Sequence, residues 1–234
     1  MRLLAQPLST DRGASPSTIA GQLALIASLT GLGIALGLAA ESLAGVDRNL
    51  GRAFASGSVH GGFLSAGWLL ALQGHEGWRG PALRGAGALI VASLAGKLSP
   101  AGAVAYLLIP LVIARDATVW RARLEWIGWR APRDWRAPFV GAAAGAFLGV
   151  HLLFASSLML GYLVAIPAGR PYLAAIAYDI GANALTVEWL FRGAIFYMLL
   201  LGLGCCALRA WSGSLLPGYL ATVAFFAVYR ILLV

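Results

Sequence analysis

The amino-acid sequence predicts an all-α protein, a polytopic transmembrane helix bundle of about seven spans with its N-terminus in the cytoplasm. Three observations lead there. Of 234 residues, 60% are hydrophobic and only 11% are charged, whereas a soluble domain carries roughly 25% charged residues. The apolar residues fall in long runs, and about 20 of them in a helix cross the hydrocarbon core of a bilayer. The basic residues collect near the ends of those runs and on one side of the expected topology, as the positive-inside rule requires.

Residues 1–17 form a polar N-terminal tail containing Pro16. No short apolar core with a small-residue cleavage site precedes the first long run, so that run reads as a permanent helix. Residues 18–114 hold the N-terminal transmembrane helices. Thr18 to Ala40 is one uncharged span. Phe54 to Gln73 is a second, weaker because it contains His60 and several glycines. Gly85 to Leu98 and Ala101 to Ala114 are short runs separated by Lys97, Ser99 and Pro100. They read as a tight hairpin, the alternative being one long broken helix.

Residues 115–136 form a basic connection with six arginines, among which Trp120, Trp126, Trp129 and Trp135 recur. Such a segment belongs at headgroup level, with indoles in the interface and guanidinium groups on phosphates. Residues 137–234 hold the remaining helices. Phe139 to Tyr162 is a span, and Pro167, Gly169 and Pro171 then make a turn. Tyr172 to Leu208 holds a sixth span and Gly213 to Val234 a seventh. With the 115–136 segment in the cytoplasm, eleven basic residues lie inside and four outside (Arg48, Arg52, Lys97, Arg170).

Net charge is +8. Its placement at span ends, not along a groove, argues against nucleic acid as a partner. Cys205 and Cys206 are adjacent, which disfavours an ordinary disulfide between them; they read as small packing residues. Gly141, Gly145 and Gly149 repeat every four positions, as do Gly33 and Gly37. Such stripes let helix backbones approach closely, without saying whether the partner helix is in the same chain.

Ionisable groups within spans are costly and need a partner or a task. They are His60, His151, Asp179, Glu188, Arg192 and Arg230. Glu188 and Arg192, four apart, share a helix face and can pair. Asp179, Asn183 and Thr186 share another face of the same helix. A membrane histidine can also ligate a haem iron or a chlorophyll magnesium, which makes His60 and His151 candidate cofactor ligands.

The string Val187-Glu188-Trp189-Leu190-Phe191-Arg192-Gly193 resembles the EExxxR-G signature of the CPBP family, the CAAX-prenyl-protease and bacteriocin-processing (Abi) intramembrane metalloproteases. The stretch Leu124 to Arg130 resembles the amphipathic link these proteins place before a span, and Trp211 to Arg230 resembles the helix that carries their FxxxH. The likeness runs from about Trp120 to Val234, roughly half the chain. It implies a helical membrane fold with zinc hydrolysis, and three departures contradict the chemistry. Val187 stands where the family has its water-activating glutamate. Counting from Phe226, Arg230 stands where FxxxH has its histidine. The family's further helix, with a second histidine, has no counterpart before Val234.

Zinc hydrolysis needs His, Cys or carboxylate ligands and a base. Valine cannot be that base, and arginine cannot ligate a metal. The expectation is therefore a non-catalytic member of this plan with no metal and no cofactor, in which Glu188, Arg192 and Arg230 form a buried ion cluster. Its partners would be the lipid bilayer and another integral membrane protein, in the bacterial cytoplasmic (inner) membrane, where it would act as an accessory, scaffold or assembly subunit. Two alternatives are an active intramembrane metalloprotease holding zinc through Glu188 and His151, and a haem- or chlorophyll-binding subunit using His60 or His151.

Overall fold

A computed structural model describes residues 14–160, 169–186, 189 and 201–229. Among them every regular element is helical. The longest are α1 (Pro16–Ala44), α2 (Arg48–Ala71), α3 (Arg79–Leu98), α4 (Ala105–Val119) and α6 (Arg136–Leu160). A single turn, α5 (Arg121–Leu124), precedes α6. Further on, α7 (Arg170–Tyr178) runs through a π turn (Asp179–Asn183) into α8 (Ala184–Thr186). The described chain ends with α9 (Leu201–Ser212) and α10 (Leu216–Tyr229).

The helix starts follow from local chemistry. Ser15 caps α1 by accepting the Thr18 N–H at 3.2 Å, with Pro16 at the first position, where its missing N–H costs nothing. Asp47 caps α2 by accepting from Asn49 N and Leu50 N at 2.8 and 3.3 Å. Asp134 accepts the Arg136 N–H at 2.8 Å at the start of α6.

The Gly85–Ala114 region is a hairpin. α3 stops at Leu98, Ser99 takes an extended conformation, and a 3-10 turn over Pro100–Val104 leads into α4. The two arms run antiparallel: Ser93 Oγ meets Tyr106 Oη at 2.9 Å, and Arg84 pairs with Asp116 nearer the open end.

Both glycine stripes find their partners within the chain. Gly33 and Gly37 of α1 lie against Ser58, Gly51 and Ala55 of α2. Gly141 and Gly145 of α6 lie against the Pro217 and Ala221 carbonyls of α10, where any Cβ would overlap backbone. The close approach that small residues permit is therefore spent on folding at these four positions. It gives no ground for expecting a second protein on those faces.

The segment 115–136 is less of a loop than expected. Its first five residues are the last turn of α4, and two more helical turns follow. Its indoles divide. Trp126 and Trp135 are exposed, whereas Trp120 and Trp129 pack against the core. Arg130 Nε donates to the Gly213 carbonyl, and Ser214 Oγ donates back to the Arg130 carbonyl at 2.7 Å. Arg209 Nη2 donates to the Trp126 carbonyl at 2.7 Å. Arg130 satisfies the carbonyl just past the end of α9, where positive charge is favoured, and Arg209, in the last turn of α9, satisfies one in the 3-10 turn at Glu125–Ile127.

The core lies where α2, α3, α4 and the α7–α8 segment meet. Leu64, Trp68, Leu89, Ile109, Ile113 and Trp189 are buried there. Trp189 meets Trp68 at a tilt, 4.6 Å between ring centroids, and Trp129 edge-on at 5.2 Å. Gly67 makes room for it, since a Cβ there would strike the indole. The outer faces are strongly apolar, with Phe139, Phe147 and Leu158 of α6 and Leu25, Leu29 and Leu32 of α1 all exposed. Among the described residues two helical stretches, Pro16–Ala40 and Pro100–Val119, are long and apolar enough to cross a membrane.

Candidate functional site

One group of buried and half-buried polar residues gathers around the π turn. One extra residue per turn lets the Ala184 N–H reach back to the Asp179 carbonyl. Such widened turns often mark functional positions in helices. Gly181 allows the turn to sit directly on the Tyr106 carbonyl of α4. Tyr219 Oη of α10 donates to the Ile180 carbonyl at 3.0 Å and holds the turn from the other side.

Asp179 is 1% exposed. Its Oδ1 accepts from Asn183 Nδ2 at 2.7 Å. The other end of that amide, Asn183 Oδ1, lies 3.1 Å from His60 Nε2 on α2. His60 Nδ1 lies 2.9 Å from the Ser56 carbonyl, and Tyr178 Oη lies 3.3 Å from Nε2. The Tyr178 ring meets His60 edge-on at 5.5 Å and Tyr106 edge-on at 5.2 Å. A continuous polar chain thus runs from the π turn to α2, walled by tyrosines.

The hydrogen-bond roles constrain the chemistry. A carbonyl oxygen and an amide oxygen only accept. Ser56 and Asn183 each offer His60 an oxygen, and the Tyr178 hydroxyl, which can donate as well as accept, lies beside Nε2 too.

The sequence-predicted residues fare differently. Asp179 and Asn183 do share a face and are bonded to each other. Thr186 is buried, and its hydroxyl is shared between the Ala182 and Asn183 backbone carbonyls, at 2.7 and 3.3 Å, without reaching the side chains of Asn183 or Asp179. His60 joins the site. His151 is exposed on α6, which packs chiefly on α10. Val187, Glu188, Arg192 and Arg230 lie outside the described residues, as does the ion cluster built on them. Phe226 falls in α10, and its side chain is not among those described.

His60 would hold a metal or a tetrapyrrole only by giving up its bond to Ser56 or to Asn183, because ligation needs a nitrogen lone pair. Among the described residues no three His, Cys, Asp or Glu side chains are grouped to hold a metal ion. Cys205 is buried and Cys206 half-buried, both as free thiols.

Sequence reading missed one feature. Arg84 and Asp116 form a two-pronged ion pair, Nε to Oδ2 at 3.0 Å and Nη2 to Oδ1 at 2.8 Å. Asp116 is buried and Arg84 is 54% exposed. The carboxylate's hydrogen bonds push the Arg84 pKa up, above its already high ordinary value. The only available signal was an isolated aspartate just past the end of an apolar run. Compared with protein-family models, curated proteins and solved structures, the chain matches none.

Proposed function

We propose that this chain is an integral protein of the bacterial cytoplasmic membrane, with about seven spans and a cytoplasmic N-terminus, built on the CPBP plan without its hydrolytic centre. It serves as an accessory or assembly subunit beside another membrane protein. The observation that carries the reading is the pair of replacements, Val187 for the water-activating glutamate and Arg230 for the histidine. Two further observations support it. The one core histidine, His60, spends both nitrogens on protein oxygens. The outward phenylalanines and leucines of α1 and α6 suit hydrocarbon rather than water. Capture of the tagged chain from membranes in a mild detergent tests the reading. A stoichiometric membrane partner is expected, and a monodisperse monomer with none refutes it.

One observation favours a second reading, an active metalloprotease with an unusual ligand set. His60 bonds Asn183, five residues before Glu188, so α2 and not α6 brings a histidine toward the signature helix. His60 replaces His151 as the histidine this reading requires. Metal analysis of the pure protein separates the two. Stoichiometric zinc that is lost in His60→Ala and Glu188→Gln establishes the protease reading and ends the first.

A further inference from the structure

An apolar crevice of about 390 Å³ opens between α6 and the α9–α10 pair. Val140, Ala144 and Leu148 line it from α6; Gly204, Leu208 and Trp211 line it from α9. Its wall is almost wholly hydrocarbon. The α6 lining recurs every four residues, along one side of a helix. Arg136 extends that same side by one turn, at the first position of α6.

The arginine end of the crevice has a distinct chemistry. The Arg133 N–H donates to the Ser212 carbonyl at 2.7 Å, which fixes Arg133 beside the last residue of α9 and next to Trp211. Arg133 and Arg136 are both exposed. Trp135 is 63% exposed and Trp211 47%. Arg130 and Arg209 lie at the same end with their guanidinium groups on the Gly213 and Trp126 carbonyls. Among the described residues the acids nearest this end are Asp134, whose carboxylate caps α6 through the Arg136 N–H, and Glu125, beside Trp126, against four arginines, so positive charge predominates.

From this geometry we infer that the crevice is a binding site for one anionic phospholipid. An acyl chain lies along Val140, Ala144 and Leu148, and the phosphate sits between Arg133 and Arg136. Trp135 and Trp211 mark the headgroup level, where indoles concentrate. From Arg136 to Leu148 the helix rises about 18 Å, a depth suited to a lipid tail and not to a free phosphate. The expected orientation puts this end at the cytoplasmic leaflet, where anionic lipids attract basic segments. The inference rests on the membrane reading above, and it extends that reading from a general basic segment to one site.

The test is a titration of the full-length protein in mild detergent with lipids carrying brominated acyl chains. These quench a nearby indole, and the Trp211 signal is the difference between the natural protein and Trp211→Phe. Brominated phosphatidylglycerol is expected to quench Trp211 at lower concentration than brominated phosphatidylcholine. Arg133→Gln and Arg136→Gln should each weaken phosphatidylglycerol about fivefold, and phosphatidylcholine, whose phosphate carries its own counter-charge, by less. Gly204→Phe fills the crevice, since nothing lies within 4 Å of a Cβ there, and should abolish the quenching. Glycerol 3-phosphate should not compete. Equal binding of the two lipids, or quenching unaffected by all three variants, overturns the inference. If Gly204→Phe does not fold, the arginine pair decides. Release of the chain from membranes by alkaline carbonate would instead refute the membrane reading itself; retention with no lipid preference refutes only the site.

Discussion

Replacing Asn183 with leucine should be among the more damaging single changes in this core. The amide bonds Asp179 at 2.7 Å and His60 at 3.1 Å. In water a hydrogen bond to a charged group contributes about 1.5–3 kcal/mol. Between membrane helices the measured coupling averages about 0.6 kcal/mol, because the unfolded chain in the bilayer also finds partners. Burial decides between the two scales. Asp179 is 1% exposed, so removing the amide takes a bond from a carboxylate that water cannot reach. We expect a loss of about 2–4 kcal/mol for Asn183→Leu, of which about 1 kcal/mol is pairwise coupling to His60. For a chain of this size each kcal/mol lowers Tm by roughly 2–4 °C. The assay is thermal unfolding in detergent, followed by tryptophan fluorescence, since Trp68, Trp129 and Trp189 report on the adjoining core. A cycle of Asn183→Leu, His60→Phe and the double variant isolates the coupling. Losses in the two single variants that simply add in the double, or an unchanged Tm in Asn183→Leu, would refute the hydrogen-bonded chain.

Gly145→Leu should cost about 2 kcal/mol or more, because its Cβ overlaps the Ala221 carbonyl and overpacking displaces backbone. Gly31→Leu, with nothing within 4 Å, should leave Tm within about 1 °C, and thermal unfolding of the two side by side checks the contrast. Arg84→Gln should cost about 1–2 kcal/mol. Half the pair is exposed, which dilutes its worth, yet Asp116 is left buried with its charge. Arg84→Lys should recover little, since an ammonium cannot make both bonds; full recovery would mean that charge alone matters. Glu188→Ala should lower Tm in detergent if Arg192 and Arg230 neutralise that carboxylate, because two buried guanidinium groups would then lack a counter-charge. An unchanged Tm removes the proposed ion cluster.

Reading the helices from the sequence worked because the signals are local. Thr18 to Ala40 falls inside α1, Phe54 to Gln73 overlaps α2, and Ser99-Pro100 turns the hairpin. Each follows from hydropathy or turn chemistry within a few residues. The 115–136 segment was less readable. Its arginines read alike in the sequence, yet Arg130 is spent on the α9–α10 turn, whose position no local pattern discloses. The candidate site was half visible. Asp179 and Asn183 shared a face by spacing alone, while His60, 119 residues before Asp179 in the chain, gave no sign of being their neighbour.

Composition and the order of apolar runs were enough to specify helices, their approximate ends and the small-residue faces. Tertiary structure alone chose which surfaces meet. It set the glycines of α6 on α10, turned Thr186 back onto its own helix, widened one turn at Asp179 and brought α2 to it. The reason is physical. Helix formation depends on bonds between residues four apart, whereas helix pairing depends on shape and hydrogen bonding between groups that no local pattern links, 76 residues apart for Gly141 and Pro217 and 123 for His60 and Asn183.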